Sequence, residues 1–326
     1  MSSNDTENSP LDGALITVFG GSGFIGNYVA QALLARGARV RIASRNPERG
    51  WALKPLANLG QLQCVHCDIT REDSLKASLH GATHVVNLVG DFTGNLTQLM
   101  GEAPGMMASI AKTNGVQAFA HLSAIGPDAS STAEYARAKA LGEERVLAAY
   151  PDATIFRPSI VFGKDDGFIN MFAGMIEMLP ALPVFGPEAK LQLVYVDDVA
   201  EAITISLEKP ETHGGRIYEL GGPEQLSMME INRRIAAAQG RERRFIAMPD
   251  GVSGLFASLP GTPMSRDQWT LLKPGSTVSE DALTFADLGI VPKALGQFLD
   301  KWMIRYREHG RFGLSEERIK AQDGAD

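Results

Sequence analysis

Cysteine is scarce: the 326 residues contain only Cys64 and Cys67, both in the stretch LQCVHCD. A structural zinc site needs about four nitrogen or sulfur ligands, and no second pair exists to complete one. The alternation instead makes this stretch a strand whose thiols are small core residues. Long apolar runs are missing too. The best candidate, FINMFAGMIEMLPALPVFG, is interrupted by Pro, Gly, Asn and Glu and falls short of the roughly eighteen apolar residues a span needs. That argues against integral insertion and leaves surface attachment open. A basic excess is also absent. Thirty-one Lys and Arg against 38 Asp and Glu give a net charge of −7, which argues against nonspecific nucleic-acid binding. The opening residues, MSSNDTENSPLD, lack the apolar core of a secretory signal and read as a polar tail.

What is present is alternation. Short β-rich runs occur at 15–19 (LITVF), 39–44 (RVRIAS), 62–67 (LQCVHC), 84–89 (HVVNLV), 118–123 (AFAHLS) and 154–157 (TIFR), with helical patterns between them. Such alternation predicts an α/β fold, a Rossmann-type doubly wound parallel sheet with helices on both faces. After residue 158 the rhythm becomes irregular and richer in Pro, Gly and Met. The expected organisation is a tail over 1–13, a dinucleotide-binding domain over 14–158, a smaller lobe over 159–313, and a polar tail over 314–326. Two later strands, LQLVYV (191–196) and RIYELGG (216–222), are expected to return to the sheet or extend it.

Between the first strand and the first helical pattern, Gly20, Gly23 and Gly26 fit G-x-x-G-x-x-G, with Ser22, Phe24 and Ile25 among them. In a dinucleotide site the first glycine permits the tight turn, the second lets the backbone approach a pyrophosphate, and the third allows close helix packing. The helix N-terminus then offers N–H groups and positive dipole to the phosphates. An NAD site commonly ends its second strand in Asp or Glu, which binds the ribose hydroxyls and repels a 2′-phosphate. Here that strand ends in Ala43, Ser44 and Arg45. A guanidinium fork and a hydroxyl suit a phosphate, so the pattern predicts NADP(H) over NAD(H), against the plainer reading of an exposed arginine without a ligand role. Asp68, followed by Ile69, is placed either to hydrogen-bond an adenine amino group or to cap the next turn. Leu88, Val89 and Gly90 are expected beneath the adenosine ribose.

Further on, SSTAEYARAKALGEERVL carries Tyr135 and Lys139 four residues apart on one helical face, with Ser131 and Glu134 spaced as a capping box. Near a nicotinamide, the ammonium would lower the phenol's pKa and anchor the ribose, letting Tyr135 exchange a proton with a substrate oxygen. Ser123, at the preceding strand end, would steady that oxygen. The alternative is an ordinary amphipathic helix.

With these residues in this order, the chain resembles an extended or atypical short-chain dehydrogenase/reductase. The resemblance continues through FRPSIVFG, where it implies that Pro158 and Ile160 face the nicotinamide, and through VYVDDVAEAI. The DLGI region and the terminal Tyr-Arg helix narrow it: the chain is similar, over nearly all of 14–313, to the NAD(P)-binding accessory subunit of respiratory complex I and its bacterial relatives. That resemblance implies a structurally used NADPH, partner subunits of complex I at its quinone module, and a cytoplasmic location peripheral on the inner membrane face. It does not settle turnover: Tyr135 and Lys139 are retained, but neither Asn95 nor Asn114 aligns as a catalytic-type asparagine.

Two stretches mix bulky apolar residues with Gly and Pro: 168–185 and FIAMPDGVSGLFASLPGTPM (245–264). They read as a pocket lining or a surface facing membrane or partner, or as core packing of the small lobe. The terminal helix, with Trp302, Ile304, Arg305 and Tyr306, could dock on lipid or cover its own sheet.

Overall fold

The computed structural model describes residues 9–256, 265–308 and 310. The chain opens with β1 (Leu15–Phe19), α1 (Phe24–Ala35), β2 (Arg39–Ser44), β3 (Leu62–His66) and α2 (Glu72–Leu79). It continues through β4 (His84–Asn87), a π-helical turn (Thr97–Glu102), α3 (Ala103–Thr113), β5 (Ala118–Leu122), α4 (Glu134–Ala149) and β6 (Thr154–Pro158). Next come β7 (Val161–Phe162), α5 (Phe168–Met178), β8 (Ala181–Val184), β9 (Lys190–Leu191) and β10 (Val194–Tyr195). Then follow α6 (Val196–Glu208), α7 (Pro210–His213), β11 (Ile217–Leu220), β12 (Leu226–Ser227), α8 (Met228–Ala238) and β13 (Arg244–Ala247). The last helices are α9 (Asp250–Phe256), α10 (Arg266–Leu272) and α11 (Gly296–Trp302).

Two compact units result. The first holds Met1–Ser159, Val196–Gly221 and Val278–Val291; the second holds Ile160–Tyr195, Gly222–Thr277 and Pro292–Asp326. Thus two segments from the later half of the chain fold with the first unit.

In that unit seven strands form one parallel sheet in the order β11-β6-β5-β4-β1-β2-β3. Parallel strands buried on both faces should read as continuous apolar runs, and β4 and β5 are buried at every residue. Helix α1 turns Val29, Ala30, Leu33 and Leu34 inward, and each fully buried Val or Leu contributes about 1.5–3 kcal/mol. Outside it, Arg36 pairs with Glu201 and Glu208 of α6 at 2.5 and 3.1 Å. Arg157 on β6 pairs with Glu143 of α4 at 2.6 Å and Glu219 of β11 at 3.6 Å, so one guanidinium ties three elements.

The strand boundaries expected from sequence hold within two residues, with one exception in kind. LQLVYV does not join the sheet. It splits into β9 and β10, which pair with β12 and β7 in the second unit, and Val196 already opens α6. RIYELGG supplies β11, the sheet's edge beside β6. The thiols differ from one another: Cys67 is buried just beyond β3, while Cys64 is half-buried.

In the second unit, β8 and β13 pair in parallel and α5 packs Ile169, Ala173 and Ile176 inward. Phe298 of α11 stacks with both Trp302 and Tyr195, whose neighbour across the strand pair is Phe162. The terminal helix therefore packs on β7 and β10. Of the apolar stretch 245–264, residues 257–264 lie outside the described residues, as do 311–326, which include the whole expected polar tail, and 1–8 of the expected leading tail. No described helix is long and apolar enough to cross a membrane.

Candidate functional site

The strand order reverses between β1 and β4, which opens a crevice at their carboxyl ends. The glycine turn lies there. Gly20 has φ +76°, and a methyl on it would meet the Leu88 carbonyl carbon at 3.2 Å and the Val89 nitrogen at 3.3 Å. A side chain at Gly26 would strike the Gly20 carbonyl oxygen and approach the Gly21 Cα to 2.5 Å. These two positions need glycine, one for its backbone and one for close packing. Gly23 is the N-cap of α1; no side chain caps it, and the first turn, with Phe24 and Ile25, carries no acid. That end is built to receive an anion on backbone N–H groups.

At the end of β2, Ser22 Oγ donates to Ser44 Oγ at 3.0 Å, and Ser44 Oγ also accepts the Asn46 N–H at 3.2 Å. Arg45 is exposed beyond them. Asp68 Oδ1 accepts from the Thr70 N–H and hydroxyl at 3.0 and 2.7 Å. Those bonds hold its carboxyl below the usual range, with Arg71 and Arg45 adding to the effect. The turn-capping alternative is thus realised at Oδ1. Ile69, beside it, is buried in the core.

The ends of β4 and β5 carry a buried polar cluster. Lys139 is only 3% exposed, and its Nζ donates to the Leu122 carbonyl at 2.9 Å. A methyl on Gly90 would sit 3.8 Å from that Nζ, so Lys139 reaches the loop after β4. Burial pulls its pKa down to about 8, opposed by Glu143. Ser123, next to Leu122, is buried, and its Oγ has no hydrogen-bond partner among the described residues. An orphaned hydroxyl and a buried ammonium are costly unless a ligand engages them. Together with the glycine cradle, they fit a nicotinamide dinucleotide.

Tyr135 departs from expectation. Lys139 Nζ lies 5.8 Å from its ring centroid, and burial pushes the phenol up to about 12 rather than down. Phe92 stacks on the tyrosine ring, with centroids 4.6 Å apart and planes 13° from parallel. Helix α4 starts at Glu134 with Ala133 as N-cap, and Ser131 Oγ accepts the Ala133 N–H at 3.1 Å. Pro158 ends β6, while Ile160 begins the second unit. Asn95 caps the π-helical turn by accepting the Gln98 N–H, and Asn114 ends α3.

Sequence reasoning passed over Asn87, His121 and Phe92. Asn87 is wholly buried; its Oδ1 accepts the Val89 N–H at 3.1 Å, and its Nδ2 lies 3.0 Å from His121 Nδ1. This side chain fixes the turn Leu88–Gly90. Polar residues inside the apolar runs HVVNLV and AFAHLS were the available signal.

Comparison with known proteins agrees with this geometry. A subunit of mitochondrial complex I from Arabidopsis thaliana, NADH dehydrogenase [ubiquinone] 1 alpha subcomplex subunit 9, is 32% identical, across 93% of this chain and 80% of its own. A ceramide reductase of Caulobacter vibrioides is 25% identical across 76% of this chain and 80% of its own. The solved UDP-glucose 4-epimerase of Thermus thermophilus, in complex with NAD, superposes with a TM-score of 0.64 at 20% identity, covering 90% of this chain and 99% of its own. The likeness to the complex I accessory subunit, drawn from the motifs, is borne out by the first of these. Residues 16–221, which include the glycine turn and the Tyr-Lys helix, match the family model, and the chain belongs to the NAD dependent epimerase/dehydratase family.

Proposed function

We propose that the chain binds NADP(H) and serves as a structural or assembly accessory subunit of an NADH:quinone oxidoreductase, at its quinone module. The end of β2 carries the nucleotide preference: Ser44 and exposed Arg45 stand where a carboxylate would repel a 2′-phosphate. The assembly role is supported by the likeness to the complex I subunit over most of both chains. A bound nicotinamide can give or take hydride. Gly20, Ser22, Gly23, Phe24, Ile25 and Gly26 would cradle the pyrophosphate, with Asp68 and Ile69 toward the adenine and Leu88, Val89 and Gly90 under the ribose. Lys139 and Tyr135 would hold the nicotinamide ribose, with Pro158 and Ile160 facing the ring. Such a protein would be cytoplasmic and peripheral on the inner membrane face, where the exposed Met171, Met178, Leu179 and Ile246 offer apolar contact.

The test pairs a native-gel profile of the producing organism's membranes with nucleotide titrations. Comigration with complex I, lost in Arg45→Asp, supports the reading. The variant should weaken NADPH binding about 10–100-fold, as removal of a charged hydrogen bond does, and spare NADH. Equal loss of both nucleotides overturns the NADP preference, and a solely free protein overturns the assembly role.

A second reading is favoured by the buried, unpaired Ser123 Oγ beside the Tyr-Lys pair and by the ceramide reductase likeness. It is a free NADP-dependent reductase or epimerase acting on a hydrophobic ketone, lipid or quinone-like substrate. Tyr135 would then pass its proton to the substrate oxygen, assisted by Lys139 and Ser123. Tyr135→Phe would abolish turnover under this reading, whereas under the accessory-subunit reading it would leave nucleotide retention and partner assembly nearly intact.

A further inference from the structure

The loop after β4 places one large apolar ring against Tyr135. Phe92 is 53% exposed, yet its inner face lies on the tyrosine ring in near-parallel stacking. An exposed phenylalanine gains little from water, so the stacking face is what holds it. The loop is built to present it. Asp91 Oδ1 accepts from the N–H groups of Phe92 and Thr93 at 2.7 and 3.0 Å and from the Thr93 hydroxyl at 2.8 Å. Glycines flank this turn: Gly90 lies against Lys139, and Gly94 has φ +82°. The segment between them can therefore turn as a unit without disturbing β4.

We propose that Phe92 is a gate over the Tyr135–Lys139 pair, covering the phenol's stacking face until the 90–94 loop swings aside to admit a flat, conjugated ligand ring in its place. The class of ligand follows from what the gate replaces: a planar ring stacked at 4.6 Å is displaced most readily by another planar ring. Burial also pushes the Tyr135 phenol up to about 12. The identity of the pair as a nicotinamide-side site rests on the function proposed above; the covering itself does not.

Tetranitromethane attacks accessible phenolate, and the six tyrosines can be followed separately as peptides by mass spectrometry. Removing the stacked ring exposes the phenol's face, so Phe92→Ala should nitrate Tyr135 several-fold faster than wild type at pH 8. The other five should be unchanged, and Phe92→Trp, which keeps a stacking ring, should protect like wild type. Wild-type nitration rates at Tyr135 in Phe92→Ala overturn the gate, as does equal deprotection by Trp. Adding 9,10-phenanthrenequinone as a planar probe should slow the nitration of Phe92→Ala more than cyclohexanone does; equal effects overturn the ligand class. NADPH retention, measured on the same proteins, reports on the nucleotide reading independently of these rates.

Discussion

At the scale of single residues, burial moves the site's ionisable groups away from the pKa values they have in water. Lys139 has a folded pKa of about 8, below the ordinary 10.5. A base so depressed makes the fold more stable above the unfolded value, and that stability is lost as pH falls through the folded one. Between pH 7.5 and 9.5 the wild type should therefore gain roughly 1–2 kcal/mol relative to Lys139→Met in denaturant unfolding. No relative gain would show that Lys139 is not held out of water. The range stops short of 10, where the raised phenol of Tyr135 begins to act in the opposite sense. His121 behaves similarly at low pH. Burial, aided by Lys139, pulls it down to about 3, so the stability of its neutral form is complete above 6.5 and is lost as pH falls toward 3. A His121→Gln variant should show a shallower decline over that window by circular dichroism.

At the scale of elements, glycine decides where the fold is rigid. The π-helical turn and α3 meet α4 at small residues: side chains added at Gly101 and Gly105 would meet Leu141 and Arg145 at 2.7 Å, and one at Gly142 would strike the Met100 carbonyl. This contact fixes the depth of Lys139, three residues before Gly142. Gly174 in α5 differs, with nothing within 4 Å of an added methyl. Gly174→Ala should stabilise by roughly 0.5–1 kcal/mol, the helix-propensity difference, whereas Gly26→Ala should destabilise by about 2–4 kcal/mol and abolish nucleotide retention. Thermal unfolding checks both; a stable Gly26→Ala would refute the packing argument.

The same scale shows what was legible in advance. The central strands β1, β4 and β5 announced themselves as apolar runs, as a sheet buried on both faces demands, while β2 and β3 toward the edge were legible from their alternation. The glycine turn and the Tyr-Lys spacing are local patterns and could be read directly. The Phe92 stacking could not, because it joins residues 43 positions apart through a loop without periodicity. LQLVYV misled for the same reason: its apolar run fits a sheet strand, but its partners are set by distant chain.

At the scale of the whole molecule, neither unit is a continuous stretch of chain. A fragment ending at Ser159 keeps the glycine turn and the Tyr-Lys helix but loses α6 and β11. It would leave Arg36 without Glu201 and Glu208, Arg157 without Glu219, and the edge of β6 unpaired. Such a fragment should be insoluble or lack a cooperative unfolding transition, because an open apolar edge invites association. A soluble, cooperatively unfolding fragment would show that the first six strands suffice.

The late arrival of β11 also matters during synthesis. Roughly sixty residues separate it from β6, and at ~5–20 residues per second the ribosome needs about 3–12 s to deliver them. Throughout that interval the nascent sheet has an unpaired edge with nothing of its own to close it. The order in which the chain is written makes this protein a customer for whatever shields nascent strands in the cell.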